Sequence, residues 1–119
     1  MQETRLGLVE ARFADIVWAN APLTTRRLVE LCDEQLDWRR TTTYTVLRKF
    51  CERGVFQAQN GIVSVLIPKE EFFAMRSEQI VSESYGGSLP AFIAAFTSRK
   101  TLTEKETEEI KKLLDNISR

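Results

Sequence analysis

Between Trp38 and Gly54 the chain gathers cations and hydroxyls. From Arg39 to Arg53 there are five basic residues, Arg39, Arg40, Arg48, Lys49 and Arg53, against one acidic residue, Glu52. That is a local net charge of +4 in a chain whose 17 Lys and Arg balance 17 Asp and Glu. Thr41, Thr42, Tyr44 and Thr45 are interleaved with the cations. Guanidinium and ammonium groups neutralise phosphates, while hydroxyls and Arg hydrogen-bond phosphate oxygens and base edges, so the mixture suits double-stranded DNA. Taken alone, the same residues fit the solvated side of a short amphipathic helix equally well. The neighbouring elements decide between the two.

Catalytic chemistry finds less support. Histidine is absent, which removes the commonest general base, the commonest metal ligand and the usual partner of a Ser or Cys nucleophile. Cys32 and Cys51 fall on apolar helical faces and read as buried thiols, without the clustering of a zinc site. The carboxylates show no paired arrangement that a cleft could use. The sequence predicts a protein that is not an enzyme and uses no metal and no cofactor. Its 119 residues, 43% hydrophobic and 29% charged, suit one compact unit or a small domain with a helical appendix. No apolar run reaches the roughly 18 to 20 residues that cross a bilayer. Met1-Gln2-Glu3-Thr4-Arg5 also lacks the apolar core of a signal peptide, so a cytoplasmic protein without membrane insertion is expected.

Periodicity and punctuation outline the elements. A first helix spans about Leu6 to Ala19, with Val9, Phe13, Ile16 and Val17 on one face, and Asn20-Ala21-Pro22 ends it. Thr24 is placed to cap a second, in which Leu28, Leu31, Cys32 and Gln35 form a stripe to about Leu36. Thr41 to Arg53 carries Thr43, Val46, Leu47, Phe50 and Cys51 on a third apolar face, and Gly54 suits a left-handed stop. Val55–Gln59 and Ile62–Ile67 are β-rich runs joined by Asn60-Gly61, the pair that best tolerates a two-residue type I′ turn.

Pro68 closes the hairpin, and a helix from about Lys69 to Tyr85 follows, interrupted by Gly86-Gly87. Ser88 caps a short helix with Pro90 in its first turn and Leu89, Phe92, Ile93 and Phe96 on one face. Thr103-Glu104-Lys105-Glu106 is a capping box, after which Ile110, Leu113, Leu114 and Ile117 line up again. Glu104, Glu106, Glu108 and Glu109 precede Lys111 and Lys112, a distribution matched to the helix macrodipole.

Three helices followed by a hairpin is the order of a winged helix-turn-helix, in which the third helix enters the major groove and the hairpin is the wing. This context favours the DNA reading of Arg39, Arg40, Thr41, Thr42, Tyr44, Thr45, Arg48 and Lys49. The stripes Leu89, Phe92, Ile93, Phe96 and Ile110, Leu113, Leu114, Ile117 lie in a tail too short to bury both by itself. They pack on a second chain or fold back on their own domain, and the first alternative predicts a homodimer. The expected fold class is mainly α with a small β-hairpin. A winged-helix DNA-binding domain would occupy residues 1–68 and a helical dimerisation region residues 69–119.

Leu28-Val29-Glu30-Leu31 and the run from Trp38 to Gly54, with Arg39-Arg40-Thr41-Thr42-Thr43-Tyr44-Thr45 at its centre, resemble the second and third helices of the penicillinase-repressor family, the Bla/Mec class of β-lactam-resistance repressors. Tyr85-Gly86-Gly87-Ser88-Leu89, Ala94-Ala95-Phe96, Leu102-Thr103-Glu104 and Glu108 to Asp115 are similar to its dimerisation region, so the resemblance runs from about Leu8 to Ile117. It implies a homodimeric transcriptional repressor of a resistance or stress-response operon, bound to a dyad-symmetric operator and released when a sensor protease cuts the dimerisation region. The bond commonly cut in the family joins Asn to Phe; the matching pair here is Ala95-Phe96. The wing, Gln59-Asn60-Gly61-Ile62, lacks the basic residues that relatives often carry, and no cysteine follows Cys51, which argues against copper sensing. A winged-helix adaptor for protein contact and a thiol-responsive regulator using Cys32 and Cys51 are the competing readings.

Overall fold

The computed structural model describes residues 3–117. Its elements run α1 (Leu8–Asn20), β1 (Leu23–Thr24), α2 (Thr25–Leu36), α3 (Arg40–Glu52), β2 (Phe56–Gln59), β3 (Ile62–Val65), α4 (Lys69–Ser84), α5 (Leu89–Arg99) and α6 (Glu104–Ile117). This is a winged helix-turn-helix followed by a helical C-terminal region. By internal contacts the chain divides into Met1–Gln79 and Ile80–Arg119, a division that falls inside α4.

Local chemistry sets the boundaries of the N-terminal unit. Thr24 is extended (φ −72°, ψ 153°) and its Oγ1 accepts from the backbone N–H of Arg27 at 3.0 Å, satisfying one of the free donors that open α2. Asp37 turns left-handed at φ 57°, and its N–H and that of Trp38 return to the carbonyls of Asp33 and Cys32 at 3.1 and 3.2 Å. The chain is thereby reversed within three residues and re-enters helix at Arg40. After α3, Gly54 at φ 74° lets the backbone leave toward β2.

The sheet order is β1-β3-β2, antiparallel throughout. Gln59 pairs with Ile62, so Asn60 and Gly61, at φ 54° and 76°, form the two-residue turn that the dipeptide predicts. β1 has no counterpart in the sequence reading. Its two residues pair Leu23 with Val63 and Thr24 with Ile62, too short a run to show alternation. It matters for position, because it draws the wing to the start of α2, where Thr25 N–H donates to Gly61 O at 3.0 Å.

Phe13, Phe50, Phe56 and Phe72 are fully buried with Val17, Leu28, Val55 and Val63. Rings of Phe13 and Phe50 lie 5.5 Å apart, those of Phe50 and Phe56 5.2 Å, and Trp38 stacks on Phe13 at 5.6 Å. Each buried Phe contributes on the order of 1.5 to 3 kcal/mol relative to exposure. This aromatic core locks α3 to α1 and the sheet. Trp18 adds a directional link from α1, its Nε1–H donating to Ile67 O at 3.1 Å.

Two residues of the stripes expected in α1 and α2 lie outside. Val9 is 48% exposed, since α1 starts only at Leu8 and its first turn projects past the core. Gln35, in the last turn of α2, is also exposed, and its carbonyl accepts from Arg12 at 2.9 Å. Thr4, ahead of α1, is buried instead.

In the C-terminal unit Ser88 Oγ accepts from Ala91 N–H at 3.1 Å, capping α5. The box at α6 is reciprocal: Thr103 N–H donates to Glu106 Oε1 at 2.9 Å and Glu106 N–H to Thr103 Oγ1 at 3.0 Å. Neither α5 nor α6 contains a buried residue.

Candidate nucleic-acid interface

α3 presents two chemically distinct sides. Thr43, Leu47 and Phe50 are buried. At 3.6 residues per turn the line directly opposite them is Thr41, Thr45, Arg48 and the exposed acidic Glu52, flanked by Thr42 and Lys49 on one side and by Arg40 and Tyr44 on the other. Arg39, Arg40, Thr41, Thr42, Thr45, Arg48 and Lys49 are exposed and Tyr44 is half-buried. All eight residues singled out in the sequence are thus exposed or half-buried, seven of them along α3 and Arg39 at its N-cap. The Thr45 hydroxyl donates to Thr41 O at 2.9 Å, which leaves its oxygen able to accept.

At the N-terminal end of this surface, the Arg40 guanidinium lies 5.7 Å from the centre of the Tyr44 ring. Hydrogen bonds from Thr25 first, and then from Arg40, hold the Tyr44 phenol below its usual pKa. Thr25, Arg26, Val29, Glu30, Arg40 and Tyr44 line a shallow hollow where the starts of α2 and α3 meet. Arg26 is exposed there, a cation that the sequence reading passed over. Its signal was available, because it follows the Thr24 cap by two residues, in the first turn of the helix that precedes α3. Arg27 differs, being bridged to Glu30 at 3.2 Å and Glu34 at 3.9 Å.

The fifth cation of the basic run turns inward. Arg53 Nη2 donates to Glu3 O at 3.0 Å and Arg5 O at 2.7 Å, with its guanidinium 5.3 Å from the centre of the Phe50 ring. The outward charge of α3 is accordingly smaller than the count along the sequence. The wing brings no cation, for no Lys or Arg lies between Gly54 and Pro68, and Gln57 and Gln59 bond to each other at 3.2 Å.

Cys32 is buried and Cys51 half-buried, both as free thiols. Burial pushes each thiol above its usual pKa, partly offset at Cys32 by the Thr43 hydroxyl and at Cys51 by the backbone of Ala58. Thiols so raised stay protonated and are poor nucleophiles. Among the described residues no group of His, Cys, Asp or Glu could hold a metal ion, and no helix is long and apolar enough to cross a membrane.

The model of one protein family, Penicillinase repressor, matches residues 6–116. The chain belongs to the penicillinase repressor family. Membership makes it a DNA-binding transcriptional repressor. Comparison with curated proteins gave no match. In this penicillinase repressor the match runs through both units and includes α5 and α6. There Leu89, Ile93, Phe96, Ile110, Leu113, Leu114 and Ile117 are all exposed. Phe92 is half-buried, with its ring 5.5 Å from that of Tyr85. Ala95 and Phe96 sit inside α5, Ala95 half-buried and Phe96 open to solvent.

Proposed function

We propose that this repressor acts as a homodimer on a dyad-symmetric operator of a resistance or stress-response operon. One α3 per protomer enters the major groove, and α5 and α6 join the protomers. The observation that carries this reading is the contrast between the two units: the N-terminal one closes its own core, whereas α5 and α6 bury nothing and expose seven large apolar residues. Exposed apolar stripes of that kind mark an interface. A second copy supplies a matching face through two-fold symmetry.

Within each protomer, Arg39, Arg40, Arg48 and Lys49 neutralise phosphates. Thr41, Thr42, Tyr44, Thr45 and Arg48 are placed for base edges and adjacent backbone. Since the wing is uncharged, α3 and the start of α2 carry the electrostatic part. With about three phosphates neutralised per protomer, log K falls with log salt with a slope near −5. Titration of the operator complex across a salt series measures it, and a slope near zero removes the phosphate contacts. A sensor protease that relieves repression at Ala95-Phe96 has to unwind α5 first, because that bond lies within the helix.

A further inference from the structure

The segment before α1 is fastened at two points by groups that the DNA-facing surface does not use. Thr4 is 1% exposed and Gln79 7% exposed, and the Thr4 hydroxyl donates to Gln79 Oε1 at 2.6 Å across a sequence separation of 75 residues. On either side of Thr4, the carbonyls of Glu3 and Arg5 accept from the guanidinium of Arg53, the residue at which α3 ends. Glu3 Oε1 in turn accepts from Arg5 N–H at 2.7 Å, which fixes the shape of the segment. Three residues thus tie the C-terminal end of α3 to α4.

The chemistry of the tie is informative. A buried hydroxyl and a buried carboxamide are costly unless they are paired, and apolar residues of similar size fill such a site without that cost. What the polar pair adds is register. Apolar surfaces can slide over one another, whereas a hydrogen bond holds at one distance and direction, as a single buried Asn does in fixing coiled-coil register. Gln79 is the last residue of the N-terminal unit, and α4 continues unbroken from it to Ser84.

We infer that Glu3–Arg5 is a positioning strap: through Thr4–Gln79 and Arg53 it fixes α4, up to Gln79, relative to α3 within the DNA-binding unit. It thereby makes the dimer selective for the spacing between operator half-sites. The inference rests on the dimeric reading above, and Thr4, Gln79 and Arg53 are positioning residues that touch no DNA.

The test uses the full chain and symmetric duplexes selected by the wild-type protein from a randomised dyad library, then resynthesised with one or two base pairs inserted at the centre. Wild type loses about tenfold or more in affinity per inserted base pair. Thr4→Val and, separately, Arg53→Met, which keeps an apolar stem over Phe50, reduce that penalty to about twofold while affinity for an isolated half-site stays within about twofold. Thr4→Ser, which retains the hydroxyl, keeps the wild-type penalty. An undiminished penalty in both altered proteins overturns the strap. Loss of half-site binding together with thermal stability in both would make the segment a folding element only, and also overturns it. Indifference of the wild type to spacing, with half-site binding intact, instead contradicts the dimeric reading and takes the inference with it.

Discussion

Leu113→Asp turns the repressor into a monomer in sedimentation experiments at micromolar concentration and weakens operator binding by about 10² to 10⁴-fold, the range by which linking two weak modules raises avidity. The substitution is clean because Leu113 is 58% exposed in the single chain. An aspartate there meets water and disturbs no core, so the winged-helix unit keeps its fold by circular dichroism. In the proposed dimer the same carboxylate would be buried against apolar side chains, where an unpaired charge is strongly unfavourable. Affinity falls although residue 113 lies in α6, remote in sequence from α3. A monomer that still binds the operator with native affinity would break the coupling between dimerisation and DNA binding.

The second large effect is at Arg48, on the line of α3 opposite the core. Arg48→Ala costs about 1 to 3 kcal/mol per copy if the guanidinium reads a base edge. With two copies on one duplex the loss is on the order of 100-fold or more. Discrimination between the selected operator and random duplex narrows at the same time. Lys49→Ala, on the flank, behaves differently: it weakens all duplexes alike and makes the salt slope shallower by about two, one for each copy. Competition titrations with both duplexes at two salt concentrations separate the roles. Equal losses on specific and random DNA for Arg48→Ala would remove the base-edge role and leave that residue its phosphate contact alone.

What the sequence disclosed, and what it concealed, follows from the range of the interactions. The Thr24 cap, the Asn60-Gly61 turn and the Thr103–Glu106 box are local, each decided within a few residues, and they appear where residue type and spacing place them. The outward face of α3 was legible for the same reason, since one helical period separates Thr43, Leu47 and Phe50 from Thr41, Thr45 and Arg48. Hidden were features that depend on distant partners. β1 exists because Val63 and Ile62 are there to pair with it. Val9 matches the stripe of α1 but finds nothing to pack on, while Thr4, which no pattern marks, is buried by α4. Arg53 counted as one more cation until its carbonyl partners, about fifty residues away, became visible. The apolar faces of α5 and α6 are exposed; that a second copy covers them is a proposal.

Hydroxyl-radical footprinting of the wild-type protein on a selected duplex tests whether two copies of α3 engage the operator. Two equivalent protected regions related by the dyad are expected, with their centres one helical turn apart, about 10 base pairs, or a whole multiple of that. Alkylation of guanine N7 within them would interfere with binding. A single unsymmetrical footprint, or binding indifferent to alkylation of guanine N7, would contradict it.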